Sequence, residues 1–308
     1  MDCKKHGCLG QRRLKEKIFF WSIAILPVIQ FCVFYIGVNF NSILLSMQKI
    51  TSTTGQGYVY EWVGLKNFVE NIKLLFTEYS LKQSFKNSLL AYFYGLIFGT
   101  ALSLLFSYYI YKKGALGGVF KVVLFLPSII SSAAMVIMFK YFVENAYPSI
   151  VLKLFNKEVD GLLANPDSTF MTILIYSIWI GFGSSVLMYL GAMNSISDSI
   201  VEAAELDGIT PIKEFIYITL PMIYPTLVTF IVTGLSGVFT NQMNLYTFKG
   251  GAVSSRDYTY GYYLFYKTSL GKEYYPQMAS LGIIFTLIIA PITFLVRWLL
   301  EKYGPSAD

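Results

Sequence analysis

The chain has 308 residues, of which 55% are hydrophobic and only 14% charged, with a mean hydropathy of +0.55. A soluble domain of this length carries about a quarter charged residues, so an ordinary water-soluble enzyme or scaffold is excluded. The net charge of +6 comes from Lys and Arg clustered beside apolar segments, which favours membrane orientation over nucleic-acid binding.

Taken in chain order, residues 1–17 form a basic tail with Lys4, Lys5, Arg12, Arg13, Lys15 and Lys17. The tail also holds Cys3, His6 and Cys8. Three potential ligands without a second cluster weigh against a metal site, and three cysteines in all weigh against a disulfide framework. An apolar span follows at 18–38; it is long and lacks the small-residue pattern of a cleaved export signal. Further spans are predicted at about 87–111, 121–142, 170–193, 219–240 and 278–300, each near the ~20 residues that cross the hydrocarbon core. The expected fold is an all-α integral membrane protein with six transmembrane helices, a membrane domain over 18–300 and a short tail at 301–308. Basic residues at the span ends put the N-terminal tail in the cytosol. Alternation then puts Lys112 and Lys113, the loop 194–218 and the C-terminal tail on the same side. The outer loops, 48–86, 143–169 and 241–277, are longer and more dilute in basic residues. The aromatic-rich stretch 256–276 is expected either to anchor at the membrane interface or to meet an external protein.

No Asp, Glu, Lys, Arg or His stands in the interior of any of the six segments; Lys121, Lys140 and Arg297 mark their ends. A proton-coupled carrier keeps ionisable groups inside the membrane, and an intramembrane hydrolase needs a base or metal ligands there. Neither is present. Unless Na⁺ is held by carbonyls alone, uphill transport by this chain therefore calls for energy from another subunit.

The inner loop 194–218 departs from the sign rule. It carries Asp198, Glu202, Glu205, Asp207 and Glu214 against a single Lys213. Ser199 stands three residues before Glu202, the spacing of a capping box, which predicts a helix over about 199–207. Gly208 suits the left-handed residue that ends it. Thr210 and Pro211 suit the cap and first position of a second helix. Pro221 and Pro225 are expected to bend or interrupt that helix as it becomes the fifth span. Ile200, Ala203 and Ala204 give the first helix a small apolar face flanked by carboxylates. The loop reads either as a solvated, incidentally acidic connection or as a knob for a basic groove on a cytosolic partner.

The string Glu202-Ala203-Ala204, Asp207-Gly208, Phe215, Ile218, Leu220-Pro221 and Pro225 resembles the EAA loop of permease subunits from binding-protein-dependent ABC importers. It departs at Ile209, where Ala is usual. "ILPVIQFCVFYIGVNFNSILLSM", "VGLKNFVENI" and "FKVVLFLPSIISSAAMVIMFKYFVE" are similar to the sugar-permease branch, specifically the maltose-type larger permease. Ala252 stands where that family usually has Pro after the paired glycines, and the large outer inserted domain of some members is lacking.

The resemblance implies a multi-pass protein of a bacterial or archaeal plasma membrane with both termini cytosolic. It implies a heterodimer with a second EAA-type permease, two ATPase subunits that bind ATP and Mg, and an extracytoplasmic sugar-binding protein that delivers a carbohydrate. The chain itself would bind no cofactor and no nucleic acid, and it has no Gly-x-x-x-x-Gly-Lys-Ser/Thr phosphate loop. The EAA loop, 194–220, would couple to the ATPase through Glu202, Ala203, Ala204, Asp207, Gly208, Phe215, Leu220 and Pro221. "YSIWIGFGSSV" is similar to the family's Trp-x-Gly segment. Ser177, Ile180, Gly181 and Ser184 fall on one helical face, and Thr233, Gly237, Thr240 and Asn244 form a comparable stripe. These positions match those lining the sugar site of the maltose-type permease, with Tyr176 and Trp179 as neighbouring candidates for apolar sugar faces. Helix packing is the competing explanation for such small residues. The alternatives are the same machine carrying another polar solute, such as glycerol phosphate, or a six-span membrane enzyme or channel.

Overall fold

The computed structural model describes residues 4–53 and 57–305. The Cys3, His6 and Cys8 cluster lies outside the described residues and side chains. The chain divides into two units: residues up to Ile72 together with Leu270–Ile284, and Lys73–Ser269 together with the residues from Phe285 onward.

In the first unit an unbroken apolar helix occupies Lys15–Ser46, and none of its most hydrophobic stretch is buried within the chain. Beyond it, Gln48–Thr53 and Gly57–Trp62 pair as an antiparallel hairpin, with Ile50 opposite Tyr60. The expectation of an all-α chain is corrected here: the protein is mostly helical with one short hairpin. The helix Lys66–Thr77 is pinned by two asparagines one turn apart. The Asn67 amide donates to the Ser46 and Gln48 carbonyls at 2.8 and 2.7 Å, and the Asn71 amide donates to the Gln277 carbonyl and Ser280 Oγ at 2.8 and 2.6 Å. Buried amide donors are costly to strand, so these bonds fix which face of the helix turns inward.

The second unit is built on the helices Tyr79–Tyr111 and Pro166–Met193, the second and fourth apolar spans. The latter starts at Asn165, whose side chain accepts from the Asp167 amide, with Pro166 at the first position, as the rules for helix starts require. The two helices meet through small residues. Ser103 Oγ reaches the Phe182 carbonyl at 3.3 Å and Ser107 Oγ the Val186 carbonyl at 2.9 Å. The fourth span also meets the third segment closely: Gly183 lies so near the Leu124 carbonyl that a Cβ would collide with it. Membrane helices pack this way because lipid is as apolar as Leu, so close van der Waals contact and hydrogen bonds hold them together.

Two predicted spans are not straight. The segment predicted as one span at 121–142 is two helices, Gly117–Ile129 and Ser132–Phe155, meeting at 103°. Between them Ile130 is extended and Ser131 has φ −51° and ψ 130°, respectively three residues past Pro127 and Ser128. The fifth segment consists of Pro211–Met222 and Tyr224–Ser236, bent by 68° at Ile223 between Pro221 and Pro225. That bend follows from the two prolines, each of which removes a backbone donor. The sixth apolar helix runs Lys272–Tyr303. By length and composition, four helices qualify singly as membrane spans, and six do if each bent pair counts as one.

The aromatic-rich stretch 256–276 is in part core, while Phe265, Leu270 and Tyr275 within it are exposed. Tyr258, Tyr260, Tyr262 and Tyr263 are buried. Asn87 donates to the Arg256 and Tyr258 carbonyls, both at 2.9 Å, and the Tyr263 hydroxyl donates to Glu78 at 3.1 Å. Arg256 pairs with Asp167 at 2.7 Å. The buried tyrosines of this loop are a local core that fastens it to the second and fourth spans.

Candidate functional site

The acidic loop folds as two helices joined by a glycine turn. Its first helix is Asp198–Leu206, one residue earlier than predicted, with Ser197 at the cap position. The capping box does not form: Ser199 Oγ bonds Ser197 Oγ at 2.8 Å. Gly208 has φ +70°, and the Ile209 amide donates back to the Ala204 carbonyl at 3.2 Å, which closes the turn. A left-handed residue costs a side-chain-bearing amino acid about 1–3 kcal/mol, which is why glycine stands here. The second helix begins with Thr210 as cap and Pro211 first. It passes through a π-type stretch at Phe215–Thr219 and reaches Leu220 and Pro221 just before the bend.

Glu202, Ala203, Asp207 and Gly208 are exposed, and Ala204 is buried. The most exposed apolar side chains of the segment are Leu206, at 89%, and Ile212, at 73%. These two residues at the tip were not singled out from the sequence. Behind the tip, Phe215 packs on a buried cluster of Tyr189, Met193, Ile196 and Ile223, joined by Tyr108 and Tyr111.

The carboxylates of the loop are not equivalent. Lys112, just past the second span, places its Nζ 2.9 Å from Glu205 Oε1 and 3.0 Å from Glu214 Oε2. Glu214 is only 2% exposed, and its second oxygen has no partner. Partial burial depresses the Lys112 ammonium, but the two carboxylates outweigh it and hold its pKa above the ordinary lysine value. Lys112 therefore stays charged throughout the physiological range. The Tyr108 hydroxyl donates to the Pro211 carbonyl at 2.8 Å, and its ring lies 4.9 Å from that of Phe215. Lys112 was legible only as an orientation signal; its predicted position on the same side as the acidic loop was the available hint of the pairing.

A second feature is a cavity of about 280 Å³ among the second, fourth and fifth spans. Its polar lining includes Ser88, Thr100, Ser103, Ser177, Ser185 and Asn241, and small residues such as Gly95, Gly181, Gly234 and Gly237 open the space. No Asp, Glu, Lys, Arg or His lines it. Of the predicted pathway residues the structure brings three to this cavity: Ser177, Gly181 and Gly237. The others are elsewhere. Tyr176 is fully buried against Phe139, Trp179 and Phe248. Ile180 and Ser184 face away from the cavity, Ser184 being exposed. The stripe Thr233, Gly237, Thr240 and Asn244 does not exist as a helical face, because the helix ends at Ser236. Asn244 is a left-handed residue, φ +56°, that precedes the separate short helix Leu245–Lys249. Thr233 instead borders an open groove with Tyr224, Arg297 and Glu301.

The chain thus combines apolar spans, a cavity lined by uncharged residues and an acidic helix–glycine–helix element. Residues 83–306 match the family model described as the binding-protein-dependent transport system inner membrane component, and the chain belongs to that family. It is similar to the Streptococcus mutans multiple sugar-binding transport system permease protein MsmF, 22% identical over 95% of this chain and 98% of that one. It is also similar to the Rhizobium radiobacter lactose transport system permease protein LacF, 24% identical over 89% and 91%. The probable ABC transporter permease YesP of Bacillus subtilis is 31% identical over 67% of each chain. In fold it matches a chain from a bacterial ABC transporter that imports the acidic polysaccharide alginate, with TM-score 0.75 and 19% identity over 95% and 98% of the two chains. A second structure of an alginate transporter, in complex with an alginate pentasaccharide-bound periplasmic protein, matches with TM-score 0.77 and 18% identity over 94% and 96%.

Replacing Gly208 by Val should open the turn, since a β-branched residue resists positive φ. The expected result is faster amide hydrogen exchange at Asp207–Thr210 with unchanged protection in the helix Pro166–Met193. Unchanged exchange at Ile209 would show that the turn does not need glycine.

Proposed function

We propose that this chain is one permease subunit of an ATP-driven importer for a neutral sugar or oligosaccharide. The observation that carries the reading is the combination of family membership with an exposed Glu202-Ala203 surface on a hinged, glycine-closed element. In this reading the chain spans the membrane six times over 18–300, two of the spans being bent pairs. Both its tails, 1–17 and 301–308, are cytosolic. A sister permease completes the pathway, an extracytoplasmic sugar-binding protein delivers the cargo, and two ATPase subunits bind ATP and Mg beneath. The chain is itself non-catalytic.

The EAA loop, 194–220, is the coupling element. Glu202 and Asp207 present charge to a basic groove of the ATPase, Ala203 allows close approach, and Leu206 and Ile212 supply apolar contact. Gly208 sets the angle between the helices, and Phe215, Leu220 and Pro221 carry movement towards the bend at Ile223.

The cavity gives the chain's share of the cargo path. Ser and Thr hydroxyls and the Asn241 amide can exchange hydrogen bonds with sugar hydroxyls, and Gly181 and Gly237 leave room for a ring. An ionised cargo would lose its hydration there without a counter-charge. This favours a neutral solute over glycerol phosphate for the part of the path that this chain forms. The missing acid–base residues disfavour a membrane enzyme.

Glu202→Lys should lower substrate-stimulated ATP turnover of the assembled transporter in vesicles about ten-fold or more, the loss of one charge-assisted contact. Turnover equal to the unaltered protein would count against the coupling role. Gly181→Trp should block saccharide uptake while the ATPase subunits still co-purify. Ser184→Trp, outside the cavity, should leave uptake unchanged. Equal effects of the two would remove the cavity from the cargo path.

A further inference from the structure

The coupling reading above accounts for a covalent path from the acidic loop into the fifth span. That path is compliant: it runs through a π-type stretch, two prolines and a 68° bend. A second path is visible in the ion pairs. We propose that Lys112 is a positioning residue that carries movement of the coupling loop to the second span; this rests on the coupling reading.

One ammonium bridges both arms of the loop. Glu205 belongs to the first helix and Glu214 to the second, on opposite sides of the Gly208 turn, and Lys112 Nζ is 2.9 and 3.0 Å from them. Among the described residues no other basic side chain is ion-paired with either carboxylate. Glu214 is buried, so separating it from Lys112 would leave a charge without water or counter-ion. The pair therefore persists while the loop moves. One turn earlier, Tyr108 reinforces the joint through its bond to the Pro211 carbonyl and its contact with Phe215.

The helix that ends at this joint also forms a wall of the cavity. Tyr79–Tyr111 contributes Gly95, Gly99, Thr100 and Ser103 to the lining, and Ser103 reaches the Phe182 carbonyl of the opposing fourth span. Displacement of Lys112 by the loop is thus displacement of a cavity wall. The geometry makes Lys112 the junction between the coupling loop and the lining.

The test uses the complete transporter in nanodiscs and reads amide hydrogen exchange with and without Mg-ATP and vanadate. In the unaltered protein, nucleotide should change exchange in both 198–222 and 103–112. In Lys112→Met the change at 198–222 should remain and the change at 103–112 should vanish, with ATP turnover persisting. Lys112→Arg should restore the second change. The double variant Lys112→Met, Glu214→Gln removes the stranded buried charge, so it isolates the link from folding; it should leave the response at 103–112 lost. A response of 103–112 like that of the unaltered protein in the double variant would overturn the proposal, because Lys112 would then merely neutralise Glu214. A nucleotide response at 198–222 without one at 103–112 in the unaltered protein would overturn it while leaving the coupling reading intact. No response in either segment would bring down the coupling reading as well.

Discussion

The contact on which this molecule turns is a lysine held between two glutamates from different helices. Lys112 neutralises Glu205 and the buried Glu214, and so fixes the angle of an element that otherwise pivots on one glycine. Without that bridge the short helix Asp198–Leu206 would be held only by its ends, the buried Ala204 and Val201, which packs on the cluster of Tyr189, Met193, Ile196 and Ile223. With it, the exposed tip of Glu202, Leu206, Asp207 and Ile212 is presented on a firm base. A buried, paired charge is a poor source of net stability, because desolvation offsets the attraction. Its use here is orientation: a carboxylate as enclosed as Glu214 tolerates few arrangements other than the observed one.

The membrane part obeys a complementary constraint. Its cavity has hydroxyls, amides and glycines and no fixed charge, so it can exchange hydrogen bonds with a passing solute but cannot store energy in an ion. In the function proposed above, driving force enters from another subunit through the acidic element. The bend at Ile223 lies directly behind the acidic element, in the buried cluster on which Phe215 packs. Irregular backbone within an apolar region is tolerated only where protein or a cavity satisfies it.

Much of this was legible in the sequence, and what was legible depended on local rules. The glycine turn at Gly208, the cap at Thr210–Pro211 and the bend between Pro221 and Pro225 need only neighbouring residues, and all are present. The helices Tyr79–Tyr111, Pro166–Met193 and Lys272–Tyr303 contain the second, fourth and sixth apolar segments and begin eight, four and six residues before them. Some failures were local, such as the capping box at Ser199, and others required distant partners. The Lys112 pairing joins residues 93 and 102 positions apart. The break at Ile130 is flanked by Pro127, Ser128, Ser131 and Ser132, a local signal that averaging hydropathy over a whole span passes over. The stripe from Thr233 to Asn244 assumed that the helix continued, whereas it ends at Ser236. The buried tyrosines near 260 looked like interface anchors because a tyrosine's composition is the same in a core, and only Asn87, Glu78 and Asp167 reveal how that loop is fastened.

The most direct measurement is site-specific photo-crosslinking from the tip. A benzophenone amino acid placed at Leu206, the most exposed apolar side chain of the element, should in cells capture a cytosolic chain that carries a nucleotide phosphate loop. Capture of lipid alone, or of an external protein, would contradict a knob seated in an ATPase.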